Sequence, residues 1–334
     1  MDIAPRHSQR RTLLKMLAIA AATVPAFTTL DAIAQAAWPS RSIRLICGYP
    51  AGSSPDVQAR LLAEPLSKAL GQPVVVDNKP GAGGNIGADL LAKSTDDHTI
   101  AIIGNGPLTS ASFLYTKLAY DPSKDFAPIA LVGAAPIVWV VPKSALTGSG
   151  ADYIKWLKGT GDKSNYGSIG AGSGSHLGME LIKESTGVNP VHVPFPGGPQ
   201  ILNGMLSGEI QMTLLPYSTV QPHIQSGKLA AVAVTSAQRS PLSPEIPSMT
   251  EVGVQGVSIE VWNAIMAPAK MPVAHQQKLN TEIAKILQSK EMKDKLFQLG
   301  WQVVDTSPKA LADRIHNDTE LYGKLIKARG YKLD

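Results

Sequence analysis

From residue 41 onward, short apolar runs rich in β-branched residues alternate with segments of helical period, and this alternation constrains the fold more than any other feature. It is the pattern of an α/β protein with a largely parallel sheet. Strands are expected at 42–48, 73–77, 99–104, 129–141, 166–170, 191–193, 210–215, 229–235 and 259–267. Two of them, 129–141 and 259–267, are unusually long and apolar. They frame a central block with its own strands and helices, and would serve as the two crossings of a bilobed protein. After residue 268 the pattern turns helical, near 272–289, 291–299 and 308–329, so this tail packs on something already built. The first helix has a written start: Ser54 can cap, Pro55 suits the first helical position and Asp56 complements the dipole. Val57, Leu61, Leu62, Leu66, Ala69 and Leu70 then share a face, with a bend expected at Pro65.

Three strand ends run into small-residue loops: Tyr49-Pro50-Ala51-Gly52-Ser53-Ser54, Gly104-Asn105-Gly106, and Gly170-Ala171-Gly172-Ser173-Gly174-Ser175-His176. In open α/β sheets ligands bind at such carboxyl ends. The first and third loops lead directly into helices, whose free N–H groups and dipole favour an anion such as a carboxylate. A single loop of this kind is usually an ordinary turn; three together point to a site. Composition agrees: only 17% of the residues are charged while 30 are Gly and 25 Pro, so much of the polar chemistry falls to the backbone. The net charge of +5 carries no basic stripe, which argues against nucleic acid. Beyond residue 36 it drops to +3, from 27 basic against 24 acidic residues.

Residues 1–36 read as an export signal, with a basic start, an apolar stretch from Leu13 to Phe27 interrupted by Pro25, and Ala34-Gln35-Ala36 as the cleavage site. The mature chain would begin at Ala37, in the periplasm. Arg10-Arg11 followed by Leu13-Leu14-Lys15 also resembles a twin-arginine signal, alongside an ordinary secretory one. Cys47 is the only cysteine, so no intramolecular disulfide forms, and its strand context predicts a buried thiol. No two of the seven His lie two to four residues apart, which disfavours a compact metal site. The stretch Gly81-Ala82-Gly83-Gly84-Asn85-Ile86-Gly87 imitates a dinucleotide loop but departs from its spacing at Ile86, and reads better as a structural glycine turn near a cleft. Ser173 and His176 raise a hydrolase alternative, but no G-x-S-x-G elbow is present, and His176 is expected to bond locally in the first turn of its helix. Asp96-Asp97 reads as a solvated turn.

From Trp38 to the C-terminus the chain resembles the extracytoplasmic solute receptors of tripartite tricarboxylate transporters, the Bug family. The resemblance rests on Trp38-Pro39-Ser40-Arg41-Ser42-Ile43, Tyr49-Pro50-Ala51-Gly52 with Asp56 and Ala59-Arg60, and Val76-Asp77-Asn78-Lys79-Pro80 running on through Gly87. It continues in Tyr120-Asp121-Pro122, Lys124-Asp125-Phe126-Ala127-Pro128, Asn165-Tyr166-Gly167-Ser168, Val191-His192-Val193-Pro194-Phe195 and Ala233-Val234-Thr235-Ser236. It implies a type II periplasmic-binding-protein fold, with two α/β lobes joined by two crossing strands around a ligand cleft. One lobe would comprise 37–135 and 265–334, the other 136–264. It further implies a monomeric receptor, without cofactor, metal or catalysis, that delivers a small carboxylate to membrane transporter subunits; a ligand sensor for a signalling partner is the alternative role. By the same resemblance Tyr49, Ala51, Gly52 and Ser53 form a first-lobe cradle with Asn105 and Gly106 beside it. Gly172, Ser173 and His176 fall in the second-lobe loop, Phe195 is the aromatic after Val-Pro, and Trp262 is either a ligand contact or hinge packing. The chain departs from the family at Ser53, at Asn105 and at Leu215, where many members carry Asp. Without that acid a ligand amine loses its counter-charge, so the expected ligand is an amine-free mono- or dicarboxylate, aromatic ones included.

Overall fold

The computed structural model describes residues 38–160, 163–236, 238–330 and 332. The proposed export signal, 1–36, lies outside the described residues. Residues Pro39–Asp334 form one compact unit.

The first half opens as β1 (Ile43–Cys47), α1 (Ser54–Leu70), β2 (Val74–Asn78), α2 (Asn85–Ala92) and β3 (Thr99–Gly104). Strand β1 lies between β2 and β3, parallel to both. Ile43, Leu45, Ile46 and Cys47 are fully buried, as a strand covered on both faces requires. Helix α1 starts one step away from the expected cap. Ser53, not Ser54, holds the extended N-cap conformation, and its hydroxyl donates to the Pro50 carbonyl (2.6 Å) instead of capping an amide. The helix runs on through Pro65, and its buried stripe is Ala59, Leu62, Ala63, Leu66 and Leu70, while Ala69 is exposed. Cutting the fully buried Leu66 to Ala would cost about 2–5 kcal/mol.

Two short helices, α3 (Asn105–Leu108) and α4 (Ala111–Leu114), lead to β4 (Phe126–Pro142). The second half follows: α5 (Gly150–Thr160), β5 (Asn165–Ser168), α6 (Gly174–Thr186), β6 (Val191–Pro194), α7 (Gly198–Ser207), β7 (Met212–Pro216), α8 (Tyr217–Gln225) and β8 (Leu229–Val234). Strand β9 (Glu260–Pro268) returns to the first half, and α9 (Val273–Gln288), α10 (Lys290–Gln298) and α11 (Pro308–Arg329) complete the chain. The strands join in the order β2-β1-β3-β9-β4-β7-β5-β6, with β8 also on β4. The sheet is mixed rather than largely parallel. Both long strands run antiparallel to every neighbour, since one carries the chain out of the first half and the other brings it back.

Strand β4 shows why a 17-residue apolar run was needed. Its first part, Phe126–Pro136, pairs with β9, and its last part, Ile137–Pro142, pairs with β7 and β8. In that last part Ile137, Trp139 and Val141 enter one core while Val138 and Val140 enter the core on the opposite face. Where the two long strands meet the second half, Thr235 staples them. Its amide donates to the Ile137 carbonyl (2.8 Å), and its buried hydroxyl lies 2.9 Å from that carbonyl and 2.8 Å from the carbonyl of Ile259. Helix α11 spans both halves: Leu311 packs with Ile46, Leu91 and Trp262, whereas Tyr322, Leu325 and Ile326 pack with Trp139 and Tyr166.

Cys47 is a free, buried thiol, pushed up to about 11 by burial. Asp96 is exposed in a turn as expected, whereas Asp97 is half-buried, lying 2.6 Å from His98 Nδ1 and 3.0 Å from His275 Nδ1, so it ties the start of β3 to α9.

Candidate functional site

The three small-residue loops meet. With the 80–85 turn, the starts of α7 and α8, and the 299–301 segment, they enclose a cavity of about 920 Å³. Among the described residues lining it there is no Asp, Glu, Lys, Arg or His. Its polar groups are main-chain amides, Ser, Thr and Tyr hydroxyls, and the side-chain amides of Gln58, Asn85, Asn105, Gln200 and Asn263. Apolar walls come from Leu114, Tyr115, Phe195, Leu215, Leu299 and Trp301.

Helices α1, α6, α7 and α8 all begin at the cavity, so their unpaired first-turn N–H groups and dipoles give it a positive lean without a cation. Several loop amides are already taken. Gly52 N–H donates to Asp56 Oδ2 (2.8 Å), Gly172 N–H to His176 Nδ1 (3.0 Å), and Ser173 N–H to the Gly170 carbonyl (3.3 Å). These bonds set the loops' shape. The donors the helices themselves do not use lie one step on, at Ser54 and Asp56 of α1 and at Gly174 and Ser175 of α6.

Asp56 anchors the first loop from behind. Burial alone would raise its carboxyl, but bonds from Arg60, Gly52 and Asn78 outweigh it and hold the group below the usual carboxylate range. The floor is main chain on main chain: a Cβ on Gly87 would fall 2.6 Å from the Gly48 Cα, and one on Gly48 would fall 2.9 Å from the Gly84 carbonyl oxygen. The glycine turn at 81–87 is therefore structural as well as cavity-lining.

Behind the third loop His176, His192 and Tyr166 stack, with the two imidazoles 4.2 Å apart. Burial pushes both His down to about 4. His176 bonds locally, its backbone N–H going to Ser173 Oγ (3.3 Å) and its Nδ1 accepting from Gly172. The Ser173 hydroxyl donates to the Gly170 carbonyl (2.6 Å). The serine's proton and the Nδ1 lone pair are thus both aimed at the loop backbone, an arrangement that holds a loop rather than activates a nucleophile.

Of the residues singled out from sequence, Tyr49, Ala51, Gly52, Ser53, Asn105, Gly106, Gly172, Ser173, Phe195 and Trp262 border this one cavity. His176 does not; it sits beneath the loop that does. Trp262 is fully buried, and its indole N–H donates to Asp318 Oδ2 on α11 (2.6 Å), with Arg314 bridging Asp318 to Glu260. Its polar atom therefore serves the join between β9 and α11. Leu215, where an acid was expected in relatives, faces the cavity. Sequence reasoning missed Gln58, Asn263 and Trp301. Gln58 carried a signal: it lies one and two turns before Leu62 and Leu66 on the buried stripe of α1.

Residues 58–331 match the model of the TctC family, described as the tripartite tricarboxylate transporter family receptor. The chain belongs to this family. It is 33% identical over 321 residues to the "UPF0065 protein in tcbD-tcbE intergenic region" of Pseudomonas sp., covering 95% of this chain and 94% of that protein. It is 33% identical over 300 residues to BugT of Bordetella pertussis, covering 89% and 91%. Among solved structures, R. palustris Rpa4515 with adipate superposes with a TM-score of 0.84 at 31% identity, covering 89% of this chain and all of that one. MatC from Rhodopseudomonas palustris with bound malate gives a TM-score of 0.80 at 27% identity, covering 86% of this chain and all of that one. The periplasmic binding protein BugD gives 0.81 at 30%, covering 89% and 100%. This is a TctC- and Bug-type solute-binding receptor: two α/β lobes, joined by β4 and β9, around a cleft.

Proposed function

We propose that this chain is an exported, monomeric receptor that captures a small mono- or dicarboxylate, aromatic ones included, and hands it to the membrane subunits of a tripartite tricarboxylate-type transporter without catalysis. The observation that carries this reading is the 920 Å³ cavity, which has helix N-termini on several sides and no charged side chain in its described lining. Such a cavity holds an anion by oriented amides and dipoles, each surface-type dipole contact contributing about 0.3–1 kcal/mol and more when desolvated. The adipate and malate in Rpa4515 and MatC support the same chemistry here. Leu215 in the wall, with no acid among the described residues lining the cavity, disfavours a ligand amine. In this reading residues 37–135 with 265–334 form one lobe and 136–264 the other, and ligand bridging both shifts an open–closed equilibrium toward closure. The three loops then supply the cradle, with contacts from Tyr49, Ala51, Ser53, Asn105, Gly106, Ser173 and Phe195.

A thermal-shift screen against a carboxylic-acid panel tests the reading. Stabilisation by amine-free carboxylates is expected; stabilisation by amino acids or neutral sugars alone would sink it.

A further inference from the structure

We propose that Gln58 is a specificity residue of the cleft, its side-chain amide donating a hydrogen bond to an oxygen of the bound carboxylate; the proposal rests on the carboxylate reading above. Gln58 opens the second turn of α1, borders the cavity and is only 1% exposed. Its Oε1 accepts from Asn263 Nδ2 at 3.0 Å, whereas its Nε2 has no hydrogen-bond partner among the described residues. Buried polar groups are nearly always paired, so a buried amide satisfied at one end and orphaned at the other calls for a partner. Packing gives no reason for it, because an apolar residue at 58 would simply extend the Leu62–Leu66 stripe.

Asn263 sets the direction. It is 4% exposed and lies on β9 between Gly104 of β3 and Gly133 of β4, where its amide holds the Gln58 oxygen. Side chains on a helix lean toward its N-terminus, which carries the Gln58 amide toward the loop end of α1. A neutral donor there strengthens an anion site already built from backbone amides, and it rejects a ligand that presents a donor of its own at that point.

The test is calorimetric titration of wild type, Gln58→Leu and Gln58→Glu with adipate, malate and benzoate, with folding of each variant checked by circular dichroism. Gln58→Leu is expected to weaken the best of these ligands about 10- to 100-fold. Gln58→Glu keeps the acceptor for Asn263 but turns an oxygen toward the ligand. It should bind more weakly still at pH 8 and recover toward pH 5, as the new carboxyl protonates and can donate. Wild-type affinity in a folded Gln58→Glu protein at both pH values would overturn the proposal, as would wild-type affinity in Gln58→Leu. A wild-type protein that binds none of the three acids would instead fail the carboxylate reading, and this proposal would fall with it.

Discussion

Replacing Gly172 by Ala probes the contact across the cleft most sharply. Gly172 has a φ of +79°, and a Cβ there would fall 2.1 Å from Leu114 Cδ1. Leu114 belongs to α4 of the first half, and the Gly172 carbonyl accepts from Ser110 Oγ (2.8 Å) beside that helix. Two costs separate. An L-residue in this backbone region costs about 1–2 kcal/mol whatever the cleft does, which lowers the melting temperature by several degrees. The collision with Leu114 exists only while the loops face each other. Overpacking costs about 1–3 kcal/mol, toward the lower end here because the colliding atom ends a side chain that can turn. A penalty of about 1–2 kcal/mol confined to the closed form weakens binding about 5- to 30-fold. Calorimetry with the best acid from the screen, beside melting curves, measures both effects. Adding Leu114→Ala should restore much of the lost affinity while leaving the melting temperature low. Unchanged affinity in Gly172→Ala, or no rescue by the second substitution, would refute the reasoning.

Three further outcomes are expected. His176 and His192 are held neutral by burial, near 4 against 6.5 for the free side chain, so the unfolded chain binds more protons between those values. Stability should therefore be full above pH 6.5 and fall toward pH 4, His176 alone accounting for on the order of 3 kcal/mol; melting curves of His176→Gln should show a shallower slope, and an equal slope would reject the assignment. Thr235→Val removes the hydroxyl part of the staple between the crossing strands and should cost about 1–3 kcal/mol, read from denaturant unfolding, whereas a loss below about 0.5 kcal/mol would mean the hydroxyl is incidental. Leu215→Asp places a carboxylate in the cavity wall, so thermal-shift response to acids should drop by at least tenfold in midpoint concentration, with gain of response to amine-bearing analogues.

Much of the architecture was legible because it follows from periodicity. All nine expected strand segments have counterparts in the structure, and the three C-terminal helices begin within a residue of where their pattern starts. The parallel expectation failed at β4 and β9 because strand direction is set by the path of the chain between halves, which no local pattern encodes. Local offsets have similar causes: the Pro50 carbonyl takes the Ser53 hydroxyl, so α1 starts without a side-chain cap, and Asp97 is held against His275 because α9 brings that side chain to it. The candidate site was legible as glycine loops at strand ends. Hidden were the parts assembled from distant segments, namely Gln58 meeting Asn263 across 205 positions, Trp301 from the C-terminal segment, and the amides of Gly52 and Gly172 taken by Asp56 and His176.

The most direct test of the central claim is a crystal structure with the acid that stabilises the protein most in the thermal-shift screen. The account predicts that acid in the cleft, one carboxylate within hydrogen-bond reach of the first-turn amides of α1 or α6 and no side-chain cation touching it. A carboxylate bound outside the cleft, or held there by Lys or Arg, would contradict it.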